Sequence, residues 1–171
     1  MHPAYVHRNI KSRNVFLDED FNAKVGNFAM ARCVEDRVED QQSNPSPPAS
    51  WTKGYLAPEY LQQGVIAPSI DIFAFGVILL EILSGQTPMI RADLKGDDYI
   101  CLSQKIKFIL QSDNAEELRE WIDNALGENY SFDAAVTLAN LARACVEDDA
   151  SLRPNAGEIV EKLSGLVEEL P

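Results

Sequence analysis

His7-Arg8-Asn9-Ile10-Lys11-Ser12-Arg13-Asn14-Val15-Phe16-Leu17, continued by Ala23-Lys24-Val25-Gly26-Asn27-Phe28-Ala29, is the stretch that organises this 171-residue chain. Val15 to Leu17 and Ala23 to Val25 read as two short strands, and the acidic run Asp18-Glu19-Asp20 between them reads as their turn. The hairpin so predicted carries the His7 to Asn14 loop at one end and the Asn27 segment at the other. From Val34 to Ser50 the chain turns polar and acidic, and Asn44-Pro45-Ser46-Pro47-Pro48 defeats both helix and strand, so residues 34–50 are expected to form a mobile segment.

Beyond that segment the periodicity becomes helical. Ser69 to Ser84 is almost uniformly apolar between Pro68-Ser69 and Gly85, which predicts a capped helix buried on all sides. Leu102 to Leu110, Glu116 to Ile122 and Phe132 to Val146 are further helix candidates. Asn155 and Glu158 have capping-box spacing, and Ile159, Val160, Leu163, Leu166, Val167 and Leu170 are read as one apolar stripe behind it. The fold expected is mainly α, with one short β-hairpin near the N-terminus.

Several short motifs stand in a fixed order. His7 to Asn14 resembles the protein kinase catalytic loop His-Arg-Asp-Leu-x-x-x-Asn, and Lys24-Val25-Gly26-Asn27-Phe28-Ala29 resembles the strand and Asp-Phe-Gly segment that follow it. Ala57-Pro58-Glu59 matches the motif closing the activation segment. Asp71-Ile72-Phe73-Ala74-Phe75-Gly76 is similar to the start of the central helix of the large lobe, and Arg153-Pro154 to the late arginine of that lobe. The chain thus resembles the large (C-terminal) lobe of a protein kinase. Phe75 to Gly85 and Leu141-Ala142-Arg143-Ala144-Cys145 resemble the plant receptor-like group, and Asn9 with Asn27 resembles its degenerate LysM receptor-like branch, which perceives chitin-type oligosaccharides.

The resemblance implies one partial kinase domain over residues 1–171, running from the catalytic loop to the final helix, with 34–50 as its activation segment. The nine glycines form no Gly-x-Gly-x-x-Gly loop and no Val-Ala-Ile-Lys segment occurs, so the small lobe is expected to be absent. Part of the surroundings of the Ser69 to Ser84 helix is then expected to be exposed or rearranged.

Each matching position has an implied role. Asn9 stands where an aspartate orients the substrate hydroxyl, and an amide is no general base; such a base contributes about 100- to 10,000-fold. Asn27 stands where an aspartate holds magnesium, a cation that prefers anionic oxygen. Asn14 matches the second metal-binding position, and Lys11 reads equally as a phosphate contact or as a surface lysine. Ala29 replaces a flexible glycine. His7 and Phe28 resemble members of the stack beneath the site, Asp71 the residue that binds the catalytic-loop backbone, and Glu59 with Arg153 a buried ion pair. Arg8 resembles the arginine that grips a phosphorylated activation segment, for which Ser43, Ser46, Ser50 and Thr52 are candidate phosphate carriers. Thr52 reads more readily as lining the peptide site, and Trp51 as a packing residue more than a partner contact.

Bulk properties narrow the alternatives. A net charge of −12 argues against a nucleic-acid partner. Cys33, Cys101 and Cys145 fit no metal-ligand spacing and read as free thiols, with Cys145 a small core residue. No apolar run reaches the roughly 18 residues of a membrane span, and Met1-His2-Pro3 opens no signal peptide, so the segment is expected to be soluble without direct membrane contact. Its place would be the cytoplasmic side of the plasma membrane, as part of a receptor-like protein. ATP and magnesium serve the parent family, and no cofactor is expected here. The leading expectation is a pseudokinase signalling module that contacts an active kinase or another signalling protein. A weakly active ATP-dependent Ser/Thr kinase and a truncated product with no independent role are the alternatives.

Overall fold

The computed structural model describes residues 4–34, 50–91, 98–112 and 114–168. Residues 35–49 of the expected activation segment lie outside them, and so does Leu170.

Two small antiparallel sheets build the N-terminal part. Strand β1 (Tyr5–Val6) pairs with β4 (Arg32–Cys33), and β2 (Val15–Leu17) pairs with β3 (Ala23–Val25) in the register Val15 to Val25. The β2–β3 turn closes on Asp18, whose Oδ1 accepts from the backbone N–H groups of Asp20 at 3.0 Å and Asn22 at 2.8 Å. These bonds hold the Asp18 carboxyl below the usual range. Strands β5 (Met89–Arg91) and β6 (Tyr99–Cys101) form a third ribbon that the sequence reading did not anticipate.

Helices α1 (Pro58–Gln63), α2 (Pro68–Ser84), α3 (Leu102–Gln111), α4 (Ala115–Trp121), α5 (Phe132–Cys145) and α6 (Ala156–Glu168) make up the rest. Helix α2 is the axis, with α5 packed along it and α3 against both. Val77 and Leu80 of α2, Leu102 and Ile106 of α3 and Ala139 and Cys145 of α5 are fully buried with Val6 of β1. Each large apolar side chain so buried contributes about 1.5–3 kcal/mol. Gly76 sets the α2–α5 spacing, because a Cβ there would lie 2.6 Å from Cys145 Cβ and 2.8 Å from Val146 Cγ1. Gly85 ends α2 in the left-handed region at φ 65° and donates its N–H to the Glu81 carbonyl.

Two details differ from expectation and one agrees with it. Helix α2 starts one residue earlier, with Pro68 in its first turn and Ala67 at the N-cap offering no side-chain bond; proline's fixed φ makes it a good first helical residue. The helix is exposed in part, in keeping with the expectation that part of its surroundings would be open: Ile82 is 63% exposed. In α6 the Asn155/Glu158 capping box is present, with bonds of 2.8 and 3.0 Å. The apolar stripe behind it is narrower than expected: Ile159 is buried and Leu163 packs on the core, whereas Val160 and Val167 face outward.

Candidate functional site

The site is built where the loop before β2 meets the segment after β3, above the start of α2. Asp71 of α2 accepts the backbone N–H groups of His7 at 2.5 Å and Arg8 at 2.9 Å, so one carboxylate gathers two successive amides of the loop. Burial pushes this carboxyl above its usual range, against the pull of those bonds. Arg8 holds a left-handed backbone at φ 67°, an unusual geometry for a non-glycine residue that the two Asp71 bonds help to fix.

His7 fastens the loop to the β3 end. The Asn9 N–H donates to His7 Nδ1 at 3.2 Å, so Nε2 carries the proton and donates to the Gly26 carbonyl at 3.0 Å. The His7 ring also meets the Phe28 ring edge-on, with centroids 4.8 Å apart. Phe28 is otherwise exposed, which places it at the rim of the core.

The three asparagines are linked. Buried Asn14 donates through Nδ2 to the Asn9 carbonyl at 2.7 Å, and that bond fixes which end of the amide is nitrogen. Asn14 Oδ1 therefore points the other way, where it accepts Asn27 Nδ2 at 3.3 Å. Asn27 is left-handed at φ 64°, a conformation that asparagine tolerates better than most residues. Neither amide is anionic, and the oxygen Asn14 presents is already met by an N–H. This donor set does not suit magnesium, which is held through carboxylates and phosphates.

Lys11 is 3% exposed, which removes the surface reading; its ammonium is held below the usual lysine range by burial and by the charge of Arg13. Arg8 donates through Nη1 to the Met30 carbonyl at 3.5 Å, bridging the loop to the turn after Asn27. Ser43 and Ser46 lie outside the described residues, as do the side chains of Ser50, Trp51 and Thr52.

Away from the loop, Arg153 donates from Nη1 and Nη2 to the two Glu59 oxygens at 2.6 and 2.8 Å. It also donates to the carbonyls of Ser69 at 3.0 Å and Glu147 at 2.8 Å. For Glu59, burial works to raise the carboxyl, but the Arg153 bond and charge, with a backbone bond and the Ser69 hydroxyl, together outweigh it and hold the group below its usual range.

A second polar cluster was not foreseen. Tyr55 Oη donates to Glu81 Oε2 at 2.7 Å, and the single Ser12 hydroxyl hydrogen lies between two acceptors, Tyr55 Oη at 2.9 Å and Glu81 Oε1 at 3.2 Å. Burial is the main cause pushing the Tyr55 phenol up to about 12, and burial also raises Glu81. The available signal was Glu81 itself, an acid inside an otherwise apolar helix, which is retained at such a position only with partners.

An amide-gathering Asp71 beneath a His-Arg loop, locked to the next strand and braced by a bidentate Arg–Glu pair, is the architecture of a protein kinase large lobe. The chain belongs to the protein tyrosine and serine/threonine kinase family, whose model it matches over residues 2–163. Among its relatives, Protein LYK5 of Arabidopsis thaliana is 38% identical over 168 residues, a match covering 96% of this chain and 25% of the relative. LysM domain receptor-like kinase 3 of the same plant is 38% identical over 170 residues, covering 95% and 26%. Chitin elicitor receptor kinase 1, also from Arabidopsis thaliana, is 34% identical over 165 residues, covering 96% and 26%. The chain therefore spans about a quarter of the length of these curated relatives.

Proposed function

We propose that this chain is the large lobe of a plant receptor-like protein that has given up phosphate transfer and signals by contact with an active kinase. The observation that carries this reading is the Asn27-to-Asn14 amide bond, an N–H directed at the one oxygen the second metal position offers. Loss of the carboxylate removes the charge a magnesium–nucleotide complex needs, and Asn9 removes the base. Asp71, Glu59 and Arg153 keep full sets of partners, so the lobe retains its form as a docking body. The likeness to LysM receptor-like kinases and to a chitin elicitor receptor kinase supports placing the parent at the cytoplasmic face of the plasma membrane, in perception of chitin-type sugars. No helix among the described residues is long and apolar enough to cross a membrane.

The test joins this chain to a nucleotide-binding small lobe and measures transfer of labelled phosphate to a protein substrate. No transfer is expected, and magnesium–ATP should give no heat of binding in calorimetry. Transfer that disappears in Lys11→Ala would overturn the proposal. It would favour the second reading, a slow kinase, for which the presence of Lys11 and Asn14 is the supporting observation.

A further inference from the structure

Ser12 is exposed, yet its hydroxyl joins three separate parts of the chain. Its one hydrogen lies between Tyr55 Oη at 2.9 Å and Glu81 Oε1 at 3.2 Å, while the Tyr55 hydroxyl donates to Glu81 Oε2 at 2.7 Å. The loop before β2, the turn Ser50–Tyr55 and helix α2 thus meet through one serine, one phenol and one carboxylate. Ser131 and Ser151 are exposed as well, but the bonds of their hydroxyls reach three and two residues along the chain. A change at either of those stays local, whereas a change at Ser12 is felt 43 and 69 residues away.

We propose that Ser12 is a phosphate acceptor, modified by the active Ser/Thr kinase that the lobe contacts, and that the phosphate parts the junction of Ser12 with Tyr55 and Glu81. Ser12 Oγ attacks the γ-phosphorus of ATP held by that kinase. The Oγ–P bond forms as the bond to ADP breaks, and the hydroxyl proton passes to the kinase's own base. The product has lost the hydrogen that both acceptors faced, and it carries about 1.5 to 2 negative charges. Its bridging oxygen starts 3.2 Å from Glu81, whose charged form burial already disfavours, so the two anions are driven apart. Glu81 is fixed in the axial helix and Tyr55 is buried, whereas Ser12 stands on an exposed turn of three residues. The loop is therefore the side that moves, and Tyr55 loses one of its two partners. The remaining hold on the Ser50–Tyr55 turn is the close seat of Gly54, where a Cβ would lie 2.5 Å from Pro88 Cβ. The inference rests on the reading that this lobe meets an active kinase.

The experiment incubates the 171-residue chain with magnesium–ATP and the isolated kinase domain of an active receptor-like Ser/Thr kinase, and locates the phosphate by mass spectrometry. Phosphate is expected on Ser12, and its loss from that peptide in Ser12→Ala confirms the position. Hydrogen exchange is then compared between the native chain and a chain with phosphoserine built in at position 12 alone. Two amides report the junction: Asn14 N–H, bonded to the Lys11 carbonyl at 2.9 Å, and Leu56 N–H, bonded to the Lys53 carbonyl at 3.3 Å. Both are expected to exchange about tenfold faster or more, with the amides of Val77 and Leu80 unchanged. Ser12→Ala should give a smaller rise, because it removes the hydrogen and adds no charge. No phosphate on Ser12, unchanged exchange at either reporter, or faster exchange throughout α2 would each overturn the inference. Omitting the added kinase separates the two claims: phosphate on Ser12 from magnesium–ATP alone would sink the loss of catalysis while leaving the parting of the junction standing.

Discussion

The Glu59–Arg153 pair and the asparagine relay are both polar clusters that join distant parts of the chain, and they are built from opposite materials. In the first, a full positive and a full negative charge are buried together, and Arg153 spends its other hydrogens on the Ser69 and Glu147 carbonyls. In the second, Asn9, Asn14 and Asn27 are joined by neutral amide bonds of 2.7 and 3.3 Å. Charge is present where it braces distant elements and absent among the three linked asparagines. A buried ion pair is costly to break from one side, whereas an amide relay closes without any ion.

The largest effect that would break this contrast is Arg153→Met. It leaves Glu59 without its partner and is expected to cost about 3–5 kcal/mol in chemical denaturation of the chain; a loss under 1 kcal/mol would show that the pair is not the brace described. Asp71→Asn comes next. An asparagine has one acceptor oxygen for two converging amides, so one is left unpaired at a cost of about 1–3 kcal/mol.

Asn27→Asp sharpens the other side of the comparison. The new carboxylate would face Asn14 Oδ1, acceptor against acceptor, lowering stability by about 1 kcal/mol in the absence of divalent cations. Magnesium should restore the melting temperature of this variant and leave that of the native chain unchanged. A native melting temperature that rises with magnesium would contradict the relay as described.

The smallest expected effect is read from pH. The folded-state pKa of Glu59 is lowered, so its contribution is present above the unfolded value of about 4.3 and is lost as pH falls through the folded value. The stability gap between the native chain and Glu59→Gln should therefore close in acid. Asp71 and Glu81 run the other way: with raised folded pKa values, the penalty on their charged forms grows as pH rises through those values. A gap that widened on acidification would exclude the ion-pair account.

Much of this was legible in the residues because local chemistry dictates it. The β2–β3 hairpin emerged at its expected bounds, since β-formers flank an acidic turn whose Asp18 closes it. Asn155 and Glu158 formed their reciprocal cap because spacing alone decides that motif. What escaped depends on pairing across long distances. Strands β1 and β4 are two residues each and carry no periodicity to read. Ser12, Tyr55 and Glu81 are far apart in sequence and meet only because α2 passes beneath the loop. Val160 and Val167 are apolar yet exposed, for helix spacing marks a face without saying how much of it a neighbour covers. The relay was legible only in part: the types and positions of Asn9, Asn14 and Asn27 were plain, but the direction of each amide needed the Asn9 carbonyl as reference.

The close approach at Gly76 turns Cys145 into an internal clock. Its thiol is fully buried against α2, and burial pushes it up to about 12, so in the closed lobe it is both sealed from reagents and scarcely ionised. Cys33 and Cys101 are only partly covered and would consume a thiol reagent first. The later, slower arrival of the third label would time how often α5 lifts away from α2, reporting the opening of the lobe with no probe added.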